Sequence, residues 1–163
     1  MRIPVLIALS ILAASSAHAA APATVELTQS GRELSASLDQ DDGSRALLDQ
    51  AGVGNALDVL QAGAAHFASI TQSGRGNAVA VRQSASDALA IVAQSGELNT
   101  LELSQNGAVS ADIAQAGSGN ALDVVQSGAG AALTATQTGS GLGASILQFG
   151  PGALVITQTG TGS

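Results

Sequence analysis

Glutamine sets the frame of this chain. It occurs at Gln29, Gln40, Gln50, Gln61, Gln72, Gln83, Gln94, Gln105, Gln115, Gln126, Gln137, Gln148 and Gln158 and nowhere else, so every step is ten or eleven positions. Glycine follows two residues after all of them except Gln40 and Gln83. A spacing kept from residue 29 to residue 158 means that one small unit is repeated. Such a period also suits three turns of helix, which take about 11 residues, so the pattern inside the unit has to decide. Two residues before the glutamines stand Leu27, Leu38, Leu48, Val59, Ile70, Val81, Val92, Leu103, Ile113, Val124, Ala135, Ile146 and Ile156; four before, the row is also apolar, from Val25 and Ala36 to Ala144 and Leu154. Offsets of 4, 2 and 0 share a face only in a strand. The 20 glycines all fall after residue 30, and each would cost a helix interior about 1 kcal/mol relative to alanine.

Each unit is therefore a strand of about six residues that ends in glutamine, followed by a glycine-rich corner of about five. Asparagine sits five residues after Gln50, Gln72, Gln94 and Gln115, as Asn55, Asn77, Asn99 and Asn120, but never after the glutamines between them. The true repeat is thus two units long, twenty-one or twenty-two positions. The expected fold is all-β: a parallel β-solenoid with two strands per coil, its coils stacked at about 4.8 Å into two facing parallel sheets of cross-β type. Bulk at the inward position four before glutamine agrees. Leu57, Val79, Leu101 and Leu122 belong to one sheet and Ala46, Ala68, Ala90 and Ala111 to the other, large facing small. Leu133 and Ala144 exchange these roles, so the last coils should pack differently.

Inward glutamine is costly unless its amide is bonded. Stacked coils answer this, because each of the thirteen glutamines lies over its counterpart and can donate to the next, as in amyloid ladders. The four asparagines are candidates for a second ladder; a corner role in the left-handed region is the alternative. On the outward face, Asp58, Glu102 and Asp123 stand in one row, three residues before their glutamines. Arg82 falls between the first two in stacking order, where a diagonal ion pair would form. Acids on a flat strand face act as gatekeepers against uncontrolled pairing.

Composition narrows the chemistry. The net charge is −7, with five arginines, no lysine, no tyrosine, no tryptophan and no cysteine. Nucleic acid is an improbable partner for a chain without basic patches or stacking rings, and a disulfide scaffold is excluded. Met1-Arg2, the apolar run Ile3 to Leu12 and the small-x-small site Ala17-His18-Ala19 read as a secretory signal peptide over 1–19, cleaved after Ala19. The remainder, 20–163, is expected to be one secreted repeat domain that does not insert into a membrane. His66 is the only histidine beyond the leader and reads as a solvated corner residue. The cluster Asp39-Gln40-Asp41-Asp42-Gly43 lacks the ordered spacing of a calcium loop. No catalytic residue, metal site or cofactor is expected, and the chain does not read as an enzyme.

The repeat resembles the curlin repeat: Ser, five residues, Gln, x, Gly, two residues, Asn, x, Ala, three residues, Gln. SRALLDQAGVGNALDVLQ, residues 44–61, follows it with Leu57 in place of Ala. The later coils keep Gln72, Gly74, Asn77 and Gln83, then Gln94, Gly96, Asn99 and Gln105, then Gln115, Gly117, Asn120 and Gln126, without the leading Ser. Curlins are secreted subunits of curli, the extracellular amyloid fibres of bacterial biofilms. The resemblance implies self-assembly into a homopolymer, a second curlin subunit as partner, and passage through a dedicated secretion pore with chaperones. Two departures stand out: the first strand, TVELTQ, begins at Thr24 without a glycine-rich segment ahead of it, and there are about six and a half repeats where five are usual. A minor curlin that nucleates or anchors the fibre is the first alternative. A monomeric solenoid, an adhesin or ice-binding protein, is the second; only Thr134-Ala135-Thr136 fits an ice-binding row, and a monomer would need polar caps over both end coils.

Overall fold

A computed structural model describes residues 8–13, 23–41 and 43–161. Its strands are β1 (Ala8–Ala13), β2 (Thr24–Arg32), β3 (Ser35–Gln40), β4 (Arg45–Val53), β5 (Ala56–Ala64), β6 (Phe67–Arg75) and β7 (Ala78–Ser86). They continue with β8 (Leu89–Glu97), β9 (Thr100–Asn106), β10 (Ser110–Ser118), β11 (Ala121–Ser127), β12 (Ala131–Ser140), β13 (Gly143–Phe149) and β14 (Gly152–Thr161). The odd-numbered strands form one seven-stranded sheet and the even-numbered strands the other, each in strict numerical order. All neighbours pair in parallel. The protein is an all-β parallel solenoid of about six turns, two strands to the coil.

Register follows the glutamines. Gln29, Gln50, Gln72, Gln94, Gln115, Gln137 and Gln158 align across the even sheet, and Gln40, Gln61, Gln83, Gln105, Gln126 and Gln148 across the odd one. A slip of one residue would turn every apolar row outward, so the pattern admits one alignment. Most strands are longer than the expected length, because pairing runs past glutamine into the corner, as in the 9 residues of β4. Gly52 makes this possible. Its φ is 118°, and a Cβ there would overlap the carbonyl oxygen of Gly74 in the next coil.

The core is the slot between the sheets. Leu57, Val79, Leu101 and Leu122 on the odd sheet and Ala46, Ala68, Ala90 and Ala111 on the even sheet are all buried, with Val59, Ile70, Val81, Val92, Leu103 and Ile113 beneath them. At the C-terminal end Leu133 is on the even sheet and Ala144 on the odd. The same reversal opens the stack, with Val25 on the even sheet and Ala36 on the odd.

Core side chains are only partly covered at Val25, Leu27, Ala144, Leu154 and Ile156. These belong to β2, β13 and β14; among the described residues β2 and β14 are outermost in the even sheet and β13 is outermost at one edge of the odd. The segment read as a signal peptide contributes β1, an extended strand beside β3. Its cleavage site, Ala17-His18-Ala19, lies outside the described residues, as does Asp42. Among the described residues no helix is long and apolar enough to cross a membrane.

Candidate functional site: the amide ladders

Strand alternation turns every third inward position into a glutamine, and parallel stacking places these side chains one above another. In the even sheet each Nε2 donates to the Oε1 of the next coil: Gln29 to Gln50 at 2.7 Å, Gln50 to Gln72 at 2.8 Å, Gln72 to Gln94 at 3.1 Å, then Gln94 to Gln115, Gln115 to Gln137 and Gln137 to Gln158 at 2.7 Å each. The odd sheet repeats this from Gln40 to Gln61, then Gln61 to Gln83 at 2.7 Å, and Gln83 to Gln105, Gln105 to Gln126 and Gln126 to Gln148 at 3.0 Å. The donors all point toward the C-terminal end.

The second amide proton crosses the slot. Gln72 donates to the carbonyl of Ala56, Gln83 to that of Phe67, Gln94 to that of Ala78 and Gln105 to that of Leu89, at 2.9 to 3.2 Å. Each acceptor is the first residue of the preceding strand, in the opposite sheet. One side chain therefore binds its own sheet along the axis and clamps the facing sheet across it. A buried amide left without such partners would cost about 1 to 3 kcal/mol. The sequence shows the ladder positions but not this cross-link, because a carbonyl has no identity in a sequence.

The asparagines work mainly through the backbone. Asn55 Oδ1 accepts from the N–H of Asn77, Asn77 from Asn99, Asn99 from Asn120, and Asn120 from Leu142, at 3.0 to 3.1 Å. Each Nδ2 donates to the carbonyl four residues back and to a glycine carbonyl of the next coil, as Asn77 does to Ser73 and Gly96. A direct amide contact occurs once, Asn99 Nδ2 to Asn77 Oδ1 at 3.2 Å. Corner residue and axial ladder are thus the same thing here.

The opposite corner carries Ser44, His66, Ala88, Val109 and Ala131, all buried. His66 is not solvated as its sequence context suggests: it is 1% exposed. Its Nδ1 accepts from the N–H of Ala88 and its Nε2 lies 3.0 Å from the carbonyl of Ala62, so the ring reproduces what an asparagine does on the other side. A signal for this exists, since His66 stands five residues after Gln61, the asparagine offset.

Asp58, Glu102 and Asp123 lie outward along the odd sheet. Arg82 joins two of them, 2.9 Å from Glu102 and 4.0 Å from Asp58, with all three side chains about half exposed. Asp123 pairs in register with Glu102 and has no ion-pair partner among the described residues. Asp41 accepts from the N–H of Gly63 at 2.9 Å and ties the acidic corner to the next coil. No group of three or more His, Cys, Asp or Glu could hold a metal among the described residues.

The family model described as Curlin associated repeat matches residues 52–84 and 67–96. Neither a curated protein nor a solved structure matches the chain. The matched stretch runs from β4 to β8, and contains Gln61, Gln72, Gln83 and Gln94 with Asn55 and Asn77. The same glutamine register extends through the coils on either side, and over residues 52–96 the chain carries the curlin-associated repeat.

Proposed function

We propose that the chain is the structural subunit of a curli-like extracellular amyloid fibre, exported after loss of residues 1–19, that grows by stacking copies end to end. The observation that carries this reading is the state of the end coils. Val25 and Leu27 at one end, and Ala144, Leu154 and Ile156 at the other, are inward core side chains left only partly covered. A further coil on each would bury them and pair the strand edges, at roughly 25 cal/mol per Å² of apolar surface removed from water. No side chain after Asp123 carries a charge that would repel an incoming copy. Biofilm matrix and adhesion are the roles this reading gives the fibre, with a second curlin subunit, a secretion pore and chaperones as partners. Asp58, Glu102 and Asp123 then serve as gatekeepers on the odd sheet, and the Asp123→Asn variant should shorten the lag before assembly, read by dye fluorescence.

The test of the whole reading is to incubate the purified chain from Ala20 and follow amyloid-dye fluorescence and fibre diffraction. Reflections at about 4.8 Å and about 10 Å support it. A chain that stays monomeric, alone and with preformed seeds, overturns it in favour of a monomeric solenoid. One that assembles only with seeds would place it as a dependent subunit rather than a self-starting one.

A further inference from the structure

The amide ladders end differently at the two poles. Oε1 of Gln29 and Oε1 of Gln40 are buried and have no hydrogen-bond partner. Gln40 is 3% exposed with β1 lying beside it, and departure of β1 opens its Oε1 to a donor from another copy. At the other pole the last amides lack a rung to donate to. Gln158 Nε2 has only a 3.4 Å contact with the Gly143 carbonyl, and Gln148 Nε2, which keeps its bond across the slot to the Ala132 carbonyl at 3.3 Å, has turned its other proton onto the carbonyl of Gly152 at 2.8 Å. One pole offers two acceptors; the other offers the spare proton of Gln158 and, once it swings off Gly152, that of Gln148, so the poles fit each other and not themselves.

The strand order adds a constraint. Once β1, which sets Ala13 beside Gln40 where a glutamine rung would stand, has left with the leader, the outermost strand at both poles belongs to the even sheet: β2 at one and β14 at the other. Seating β2 of a second copy on β14 would leave the odd sheet one strand short between β13 and the incoming β3. That vacancy would strip the pairing from a whole strand edge on either side. Turning the second copy by half a revolution about the stack axis removes the vacancy. The two sheets run in opposite directions across the slot and carry the same inward pattern, so β2 then continues the odd sheet on β13, and β3 continues the even sheet on β14.

We propose that successive copies join through this half-turn, with Gln148 of one copy donating to Gln29 of the next and Gln158 donating to Gln40. The join is heterologous and does not close, so it propagates as a filament in which each copy faces opposite to its neighbour. It rests on the fibre reading above and specifies the contact that reading leaves open.

The chain has no cysteine, which makes engineered disulfides a clean test. The half-turn places Glu26 of one copy beside Ser145 of another, both exposed and at the spacing of paired parallel strands, within disulfide reach. Stacking without rotation places Glu26 beside Val155 instead. Fibres of the Glu26→Cys, Ser145→Cys double variant should give a ladder of disulfide-linked oligomers on a denaturing gel after mild oxidation, and those of Glu26→Cys, Val155→Cys should not. The opposite result overturns the half-turn. No ladder from either variant overturns the pairing of these two poles altogether. On unmodified fibres, electron cryo-microscopy reads the same question without substitutions: about 31 Å of axial rise per copy for thirteen strands in continuous register, against about 34 Å for unrotated stacking. If the unmodified chain forms no fibre with a reflection at about 4.8 Å, the fibre reading itself has failed; fibres with the wrong rise or the wrong cross-link refute only the half-turn.

Discussion

The two corners of each coil obey different rules. From the even sheet to the odd, every glutamine-to-glutamine step is eleven positions; in the other direction the steps after Gln40, Gln105 and Gln148 are ten and those after Gln61, Gln83 and Gln126 are eleven. The constant corner contains Asn55, Asn77, Asn99 and Asn120, whose side chains bond to the backbone of the adjoining coil. The variable corner stacks Ala88, Val109 and Ala131 as a small apolar cluster. Hydrogen bonds demand fixed distances and angles, whereas apolar contact asks only for filled volume. A corner that must align the same amide at four successive levels cannot lose a residue there. One that must merely stay dry can.

Deletion should break this contrast most severely. Removing Gly76 from the constant corner shifts Asn77 off its partners, and fibres should fail to form or dissolve at far lower guanidinium chloride concentration, a loss of more than about 3 kcal/mol. Removing Ala129 from the variable corner shortens it to the length already found after Gln105 and should cost about 1 kcal/mol or less. Equal losses would sink the distinction between the corners. Next comes Asn77→Ala, which leaves the Asn99 N–H and the carbonyls of Ser73 and Gly96 without that partner; a drop of about 3 kcal/mol in the same denaturation assay is expected.

A smaller effect concerns the one variable-corner residue that imitates the other corner. His66→Asn should retain both backbone bonds and stay within about 0.5 kcal/mol of the parent, while His66→Ala should lose about 1 to 2 kcal/mol. If the two variants denatured alike, the ring would be filling space rather than bonding. The smallest effect should be shared by both corners. Leu98 (φ 56°) and Ala65 (φ 60°) hold left-handed backbone that L residues adopt at a cost. Leu98→Gly and Ala65→Gly should therefore each gain at most about 1 kcal/mol, measured by the same denaturant midpoint.

Much of this is legible in the sequence because strand periodicity writes itself there at intervals of two. The glutamine and aliphatic rows, the division into two sheets and the Arg82 diagonal all depend on residue identity at a fixed offset. What escapes is what identity does not encode. The second proton of each glutamine finds a main-chain carbonyl, Ala56 for Gln72 and Leu89 for Gln105, that any residue could have supplied. Strands outrun the length expected of them because glycine in a sequence signals the end of pairing, whereas Gly52 and Gly74 extend it by close approach. His66 misleads by its chemistry, a polar residue in a corner, while its offset from Gln61 places it among buried groups.

Each strand pairs only with those two before and two after it in the chain. A tandem duplication of residues 56–77, from the start of β5 to Asn77, would therefore keep the outer pairings of β5 and β6 and add only β5 on its copy and β6 on its copy, glutamine over glutamine and apolar over apolar, lengthening the stack by about 4.8 Å. Length in such a protein is a heritable count of coils, and unequal recombination within the gene could change it in whole steps without changing the register of a single row.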